Sequence, residues 1–331
     1  MSKEKIVRAY TNIALIKYWG KKDESLFLPM NSSLSLTLDS FYTETAVQFD
    51  ESLDKDAFFL NDRLQNEKST DKVSHVLDLF REAAGITTPA KVQSTNFVPT
   101  AAGLASSASG MAALAGAANL ASGLNLDRQT LSTYARRGSG SATRSVYGGF
   151  VEWQKGTSNE DSYAVKVDDA SWDIGMVTVI VNNKEKTVSS REGMKKTVAT
   201  SPFYPRWLKS TPIDLAEMKS AIYNKDFQKL GEITEQSGMK MHGTMLGANP
   251  PFSYWEPDSI VAMQTVHHLR ATGIPCYFTM DAGPNVKILC RLSDSHKIKE
   301  GLATYFSPEK IVISGPGKDL QEITRRGVHH D

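Results

Sequence analysis

Between Val92 and Leu126 the chain carries no Asp, Glu, Lys or Arg. In a protein with 23% charged residues, a run of that length belongs in an interior. It is not a membrane span, because Ser, Thr, Asn and Gly interrupt it throughout. Its centre is Pro99-Thr100-Ala101-Ala102-Gly103-Leu104-Ala105-Ser106-Ser107-Ala108-Ser109-Gly110. Small residues let a backbone approach a ligand closely, and Gly103 can take a φ angle that other residues avoid. Beyond it, the spacing of Met111, Leu114, Ala115 and Ala118 predicts a helix with one apolar face. A helix start presents free N–H groups and a partial positive charge, which suits a phosphate chain. Ser106, Ser107 and Ser109 add hydroxyls for phosphate or for Mg²⁺. Buried serines must satisfy those hydroxyls, and a bound nucleotide phosphate chain would do so. No lysine lies in the loop, which excludes a Walker A loop. On composition alone, a tightly packed Ala/Gly/Ser helix with a flexible lead-in stands as the alternative.

The 331 residues are enough for two domains, and 40% hydrophobic content fits a soluble globular protein. A net charge of +1 implies no nucleic-acid partner. Met1-Ser2-Lys3-Glu4-Lys5 has no apolar segment of an export signal, so the expected setting is the cytoplasm. Cys276 and Cys290 flank one hairpin; a disulfide is open to them, but reduced core cysteines are preferred without a secretion signal.

Alternating apolar residues predict strands over Ile6–Ala9, Ser33–Asp39 and Tyr42–Phe49. Residues 71–84 read as a helix with Val73, Val76, Leu77 and Phe80 on one face. Asp127 is placed to cap a helix running to Arg136 and ending near Gly138, with another helix from Ser141. The β-branched run 176–181 reads as a buried strand. A polar helix over 189–200 is expected to break at 201–205, followed by helices over 214–223, 226–242 and 257–272. Strands over 276–280 and 286–292 are joined by Asp281-Ala282-Gly283-Pro284-Asn285. The domain boundary is expected near residue 182, and the tail from Arg325 is expected to fray.

Three basic patches lie beside glycines or serines: Lys17 to Lys22, Arg136 to Arg144, and Lys184 to Arg191. Each alone reads most simply as a solvated surface. Together with an uncharged phosphate-type loop they point to two phosphorylated ligands, a nucleotide and a small anionic substrate. Asp281, where a strand gives way to a Gly-Pro turn, could act as a general base or orient a hydroxyl; an ordinary turn cap is the plain alternative. The seven histidines show no zinc-ligand spacing and read as structural or surface residues. Neither a Gly-x-Ser-x-Gly elbow nor a dinucleotide fingerprint is present.

The run Tyr10–Lys21, the loop Asn96–Gly110, the segment Arg136–Phe150 and the turn Tyr277–Lys287 together resemble the mevalonate diphosphate decarboxylases of the GHMP kinase superfamily. The resemblance spans nearly the whole chain and points toward the enzymes of Gram-positive cocci. Ser-Gly-Ser-Ala-x-Arg and Asp-Ala-Gly-Pro-Asn are its specific motifs. It implies an α+β, GHMP kinase-like fold, with a ribosomal-protein-S5-like ATP-binding domain over 1–182 and a ferredoxin-like domain over 183–331. It further implies an ATP- and Mg²⁺-dependent decarboxylase acting on mevalonate 5-diphosphate, and a homodimer with no membrane partner.

By the same resemblance Asp281 would contact the C3 hydroxyl and take its proton, and Arg144 would lie near the substrate carboxylate and diphosphate. Tyr18, Lys21, Ser139, Gly140, Ser141, Ser190, Arg191 and Met194 would hold substrate, and Asn12 would hold Arg144 or the carboxylate. Gly103, Leu104, Ala105, Ser106, Ser107, Ala108 and Ser109 would cradle ATP, with Ser94 and Asn96 in the nucleotide pocket. Ser107 would bind Mg²⁺, and Lys186 would meet the transferring phosphate. Independently of the resemblance, the Lys184 to Arg191 patch lies in a polar segment after a strand and is expected to close over ATP. Thr143 departs mildly from the family, standing where cysteine is common. A related small-molecule kinase and a non-catalytic nucleotide-binding module are the other readings that the loop allows.

Overall fold

The computed structural model describes residues 5–97, 107–182 and 187–324. A large sheet is built around the strands Lys5–Ile16 and Ser33–Phe49. Outward from the latter lie Ala90–Phe97 and then Ala57–Leu60, which pairs in parallel with it. Phe150–Trp153 and Ala164–Asp168 form a side branch on the same long strand. The two strands expected between 33 and 49 are one strand of 17 residues. Register shifts against the first strand, between Tyr10 and Asn12 and between Ala14 and Ile16, let so long a strand stay paired while it bends.

Three helices cover one face of this sheet. Glu67–Ala84 starts at Asn66, whose side chain accepts the Ser69 N–H, and ends at Gly85 in the left-handed region. Arg128–Gly138 starts at the expected Asp127 cap, with Oδ1 2.9 Å from the Thr130 N–H. Between them runs Ser107–Ser122, which is buried nearly all round rather than on one face: Ala108, Ser109, Ala112 to Ala115 and Ala117 to Asn119 are all inside. A helix of alanine and glycine is thin enough to lie between a sheet and two other helices, so the lack of charge marks full enclosure. The helix expected from Ser141 is a 3₁₀ segment, Gly140–Val146.

The second sheet is antiparallel, in the order Cys276–Met280, Val286–Cys290, Gly175–Val179, Ile311–Ser314. Helices Pro257–Ala271 and Ser295–Leu302 share a core with one face. Helices Tyr204–Tyr223 and Phe227–Leu246 cover the other face, and their core also takes in Leu15, Leu34 and Leu36 of the first sheet. The two halves thus share apolar packing. The strand Gly175–Val179 lies before the expected boundary at 182 yet pairs in the second sheet, while Gln321–Thr324 returns to pair with the first strand. Cys276 and Cys290 are buried, not joined by a disulfide, and directly opposite in register.

The break expected at 201–205 is narrower, because the next helix begins at Tyr204 and carries Pro205 in its first turn, where no N–H is needed. Pro212 sits inside that helix and cannot donate to the Leu208 carbonyl. The Thr211 hydroxyl does so instead, at 3.0 Å. Among the described residues, no helix is long and apolar enough to cross a membrane.

Close packing of the enclosed helix yields a prediction. A Cβ on Gly116 would lie 2.8 Å from Val7 Cγ1 and 2.9 Å from Leu320 Cδ1. Gly116→Val is therefore expected to lower stability by about 1–3 kcal/mol through overpacking. An unchanged urea midpoint would show that the helix has room to move.

Candidate functional site

The first strand ends by running into the second half of the chain. Lys17 N–H donates to Ser237 Oγ at 3.2 Å, and the Lys17 carbonyl accepts from Asn31 Nδ2 at 2.8 Å. The Trp19 carbonyl accepts from the Tyr204 hydroxyl at 2.8 Å. Gly20 follows at φ +100°, with the space for a Cβ taken by that hydroxyl, 2.2 Å away, so only glycine fits. This clamp delivers Lys17, only 1% exposed, to Asp281: Nζ donates to Oδ1 at 2.7 Å.

Asp281 follows Cys276–Met280 on the sheet face of Tyr277 and Thr279. Lys287, opposite Thr279 and Thr178 in register, places its ammonium 3.4 Å from Oδ2. The Asp281 side chain is 38% exposed, so the carboxylate has a buried back and an open front. Burial alone would raise its pKa; the charges of Lys17 and Lys287 outweigh that and hold it well below the usual carboxylate range. Burial lowers the Lys17 ammonium, with Asp281 pulling it back. Behind them His242 is buried, its Nε2 3.4 Å from the Met280 carbonyl and its ring 5.5 Å from that of Trp255. Burial and the Lys17 charge push His242 down to about 4, so it is neutral at physiological pH.

Arg144, on the 3₁₀ segment, is buried beside this group. Its Nε donates to Asn12 Oδ1 at 3.2 Å and its Nη1 to Ser33 Oγ at 2.5 Å. Asn12 Nδ2 in turn donates to the Ser141 carbonyl at 2.9 Å and Ser145 Oγ at 2.8 Å, so this asparagine fixes both the arginine and its segment. Burial pushes the guanidinium down to about 10, against the pull of Asp281. The Thr143 hydroxyl donates to the Gly140 carbonyl at 2.7 Å, which gives the departure from cysteine a local role.

The three basic patches converge. Tyr18 lies against Trp153, ring centroids 4.8 Å apart, and a Cβ on Gly140 would meet both rings. Ser139 and Ser141 hydroxyls are 3.2 Å apart on the same turn. Lys21 and Arg191 both lie over the Phe27 ring, at 3.7 and 5.7 Å, and Lys21 pairs with Glu24 at 3.1 Å. Ser190 opens the helix Ser190–Thr200, and Met194 packs with Trp19 and Tyr204.

At the start of the helix Ser107–Ser122, Ser107 is exposed, with no charged side chain in the first turn. Ser109 is buried, and its hydroxyl lies 2.9 Å from Thr43 Oγ1 and 3.3 Å from Thr11 Oγ1. The protein thus satisfies a hydroxyl that sequence reasoning left to a phosphate. Ser94 likewise pairs with Thr45 at 2.8 Å, and Asn96 Oδ1 accepts from Thr43 at 2.9 Å. Thr11 and Asn12 are chain neighbours, so the helix start and Arg144 flank one point of the first strand. Gly103, Leu104, Ala105, Ser106 and Lys186, with the tail from Arg325, lie outside the described residues.

Sequence reasoning missed Lys287, Lys17 as a partner of Asp281, and His242. The signal for Lys287 was a lysine amid the apolar run Val286-Lys287-Ile288-Leu289-Cys290, buried with its strand.

Two sheets joined through a shared core, with an acid, an arginine and a helix start around the first strand, define a GHMP kinase-like α+β protein. The family described as "Diphosphomevalonate decarboxylase-like N-terminal domain" matches residues 9–164, and "Mevalonate 5-diphosphate decarboxylase C-terminal domain" matches 176–325. The diphosphomevalonate decarboxylase of Candida albicans is 38% identical over 91% of this chain and 88% of its own length. A solved structure described as MDDEF in complex with MVAPP, AMPPCP and magnesium is 55% identical, with a TM-score of 0.93 over 98% of this chain and 99% of that one. The mevalonate diphosphate decarboxylase of Staphylococcus aureus is 50% identical, with a TM-score of 0.93 over 97% and 98%. The chain belongs to the diphosphomevalonate decarboxylase family, and these identities agree with its Gram-positive type.

The electrostatics give a signed prediction. Because its pKa is depressed, Asp281 contributes stability that is present above its unfolded value of about 4 and is lost only as pH falls through the lower folded value. Lys287→Met removes one of the two charges responsible. The acid limb of stability attributable to Asp281 should then move to higher pH, as read from the urea unfolding midpoint against pH. An unmoved limb would mean that Lys17 alone sets the ionisation.

Proposed function

We propose that this protein catalyses the ATP-dependent decarboxylation of mevalonate 5-diphosphate, giving isopentenyl diphosphate, ADP, phosphate and CO₂ in isoprenoid biosynthesis. The observation that carries the reading is Asp281, held ionised between Lys17 and Lys287 with buried Arg144 beside it. The family relationship supports it, as does the similar structure solved with MVAPP, AMPPCP and magnesium.

In this reading Tyr18, Lys21, Ser139, Gly140, Ser141, Ser190, Arg191 and Met194 hold the diphosphate substrate, and Arg144 faces its carboxylate. The open end of the helix Ser107–Ser122, with Ala108 and Ser109 in its first turn, receives the ATP phosphates. Gly103 to Ser106, Ser94 and Asn96 belong to the nucleotide side, and Lys186 contacts the transferring phosphate. Among the described residues no three His, Cys, Asp or Glu side chains cluster to hold a metal. Mg²⁺ takes oxygen ligands from phosphates and water, and in this reading from the Ser107 hydroxyl. When bound, Mg²⁺ neutralises charge on the ATP phosphates.

The γ-phosphoryl group passes to the C3 oxygen of the substrate, which loses its proton to Asp281. A carboxylate held so far below its usual range is a weak base toward a free alcohol. It suffices once that oxygen bonds phosphorus and its proton becomes strongly acidic. The C3–O bond then breaks with phosphate leaving, and the electron pair of the C–CO₂⁻ bond forms the new double bond. Developing positive charge at a tertiary carbon is tolerable, and Arg144 releases the carboxylate as it loses its charge. The proposal includes a cytoplasmic setting where ATP is available, and a homodimer that sedimentation velocity would check.

The test is ATP-dependent CO₂ release from mevalonate 5-diphosphate; ADP formation without CO₂ would assign a kinase instead. Asp281→Ala should lower turnover by about 10²–10⁴-fold while nucleotide affinity stays within a few-fold. Wild-type turnover in that variant would remove Asp281 from the chemistry.

A further inference from the structure

The turn Asp281-Ala282-Gly283-Pro284-Asn285 closes a hairpin, and the function above uses only its first residue. The last one makes more bonds than a turn requires. Asn285 is 5% exposed, and its Oδ1 accepts two backbone N–H groups, Val181 at 2.9 Å and Asn182 at 3.1 Å. Both lie just past the end of the neighbouring strand Gly175–Val179. The Asn285 carbonyl accepts from Lys287 Nζ at 3.2 Å, and that ammonium stands 3.4 Å from Asp281 Oδ2.

The residue before it is tied as well. The Pro284 carbonyl accepts from Ser259 Oγ at 2.7 Å. Ser259 forms a capping box with Glu256 at the start of Pro257–Ala271. Glu256 Oε1 accepts from Asn182 Nδ2 at 2.8 Å, which leads back to Asn285. The far end of the turn therefore sits in a closed ring of hydrogen bonds that spans three elements. One amide oxygen is its junction, shared by the N–H groups of Val181 and Asn182.

We propose that Asn285 is a positioning residue of the reaction, which locks the turn to the end of Gly175–Val179 and steers Lys287 so that Asp281 stays seated between its two lysines. The inference rests on the reading of Asp281 given above. Among the described residues, four charged or titratable groups face that carboxylate: Lys17 from the end of the first strand, Lys287 from the paired strand, Arg144 from the 3₁₀ segment and His242 from the helix behind. Of these, Lys287 is the one bonded to Asn285 itself. None of the groups assigned to hold the substrate diphosphate lies on the turn, so freeing it should affect the chemical step more than binding.

The experiment measures kcat, both KM values and the pH profile for Asn285→Ala and Asn285→Asp in the full chain, beside the wild type. Asn285→Asp keeps an acceptor oxygen for the two N–H groups; Asn285→Ala does not. Asn285→Ala should lower kcat at least about ten-fold with both KM values within about three-fold, and should raise the pH of the acid limb as Asp281 leaves its partners. Asn285→Asp should restore at least about a third of kcat and return the limb toward wild type. Should Asn285→Ala fail to fold, Asn285→Ser gives the same reading, since its shorter hydroxyl cannot serve both N–H groups.

A folded Ala or Ser variant with kcat within two-fold of wild type would overturn the proposal. So would a fall in kcat with an unmoved limb, which marks a purely structural role, or a failure of Asn285→Asp to restore. Absence of CO₂ release by the wild type would instead overturn the functional reading on which the proposal stands.

Discussion

Two buried ammonium groups cannot share one small volume without an anion between them. Taking each ion out of water costs several kcal/mol, and only a well-placed counter-charge recovers it. Lys17 and Lys287 meet that condition through one carboxylate, Asp281. Lys17 arrives from the first sheet, while Asp281 and Lys287 belong to the hairpin of the second. The ion triad can therefore form only when the two halves meet in one register. The clamp at the end of the first strand, from Ser237 to Tyr204, serves that register. The apolar core that joins Leu15 and Leu34 to helices of the second half supplies the adhesion, which by itself has no direction.

Apolar and charged parts of the site were legible in the sequence to different degrees. The charge-free stretch marked its helix as internal, and Asp127 marked a helix start, because both signals are local. Strand continuity was not legible: a bent strand of 17 residues reads as two short ones when the register shifts that absorb the bend depend on its partner. The start at Tyr204 was hidden because prolines argue against a helix until the Thr211 hydroxyl is seen to take over the carbonyl that Pro212 leaves. Single site residues came through the motifs they sit in. The partners that tune them did not, since Lys17 and Asp281 are 264 positions apart in the chain. One serine hydroxyl was not legible either: that of Ser109 meets Thr43 on a strand, a contact no spacing rule reveals.

The site contains two kinds of positive charge. Lys17, Lys287 and Arg144 are buried and fixed by Asp281, Asn12 and Ser33, so they need no rearrangement when charge develops beside them. Lys21 and Arg191 share the face of Phe27 and sit on elements outside that group, one after the first strand and one on the helix Ser190–Thr200. Attraction to a diphosphate is the same before and after the chemical step, so charges that only hold it lower the energy of ground state and transition state alike. On the proposed function, the fixed set stands where an alcohol proton leaves and a carboxylate disappears, and there the charge does change. On that reading, rate enhancement comes mainly from the buried set. Each member of that set is bound to a neutral or oppositely charged partner, which on the same proposal makes those partners part of the catalytic design.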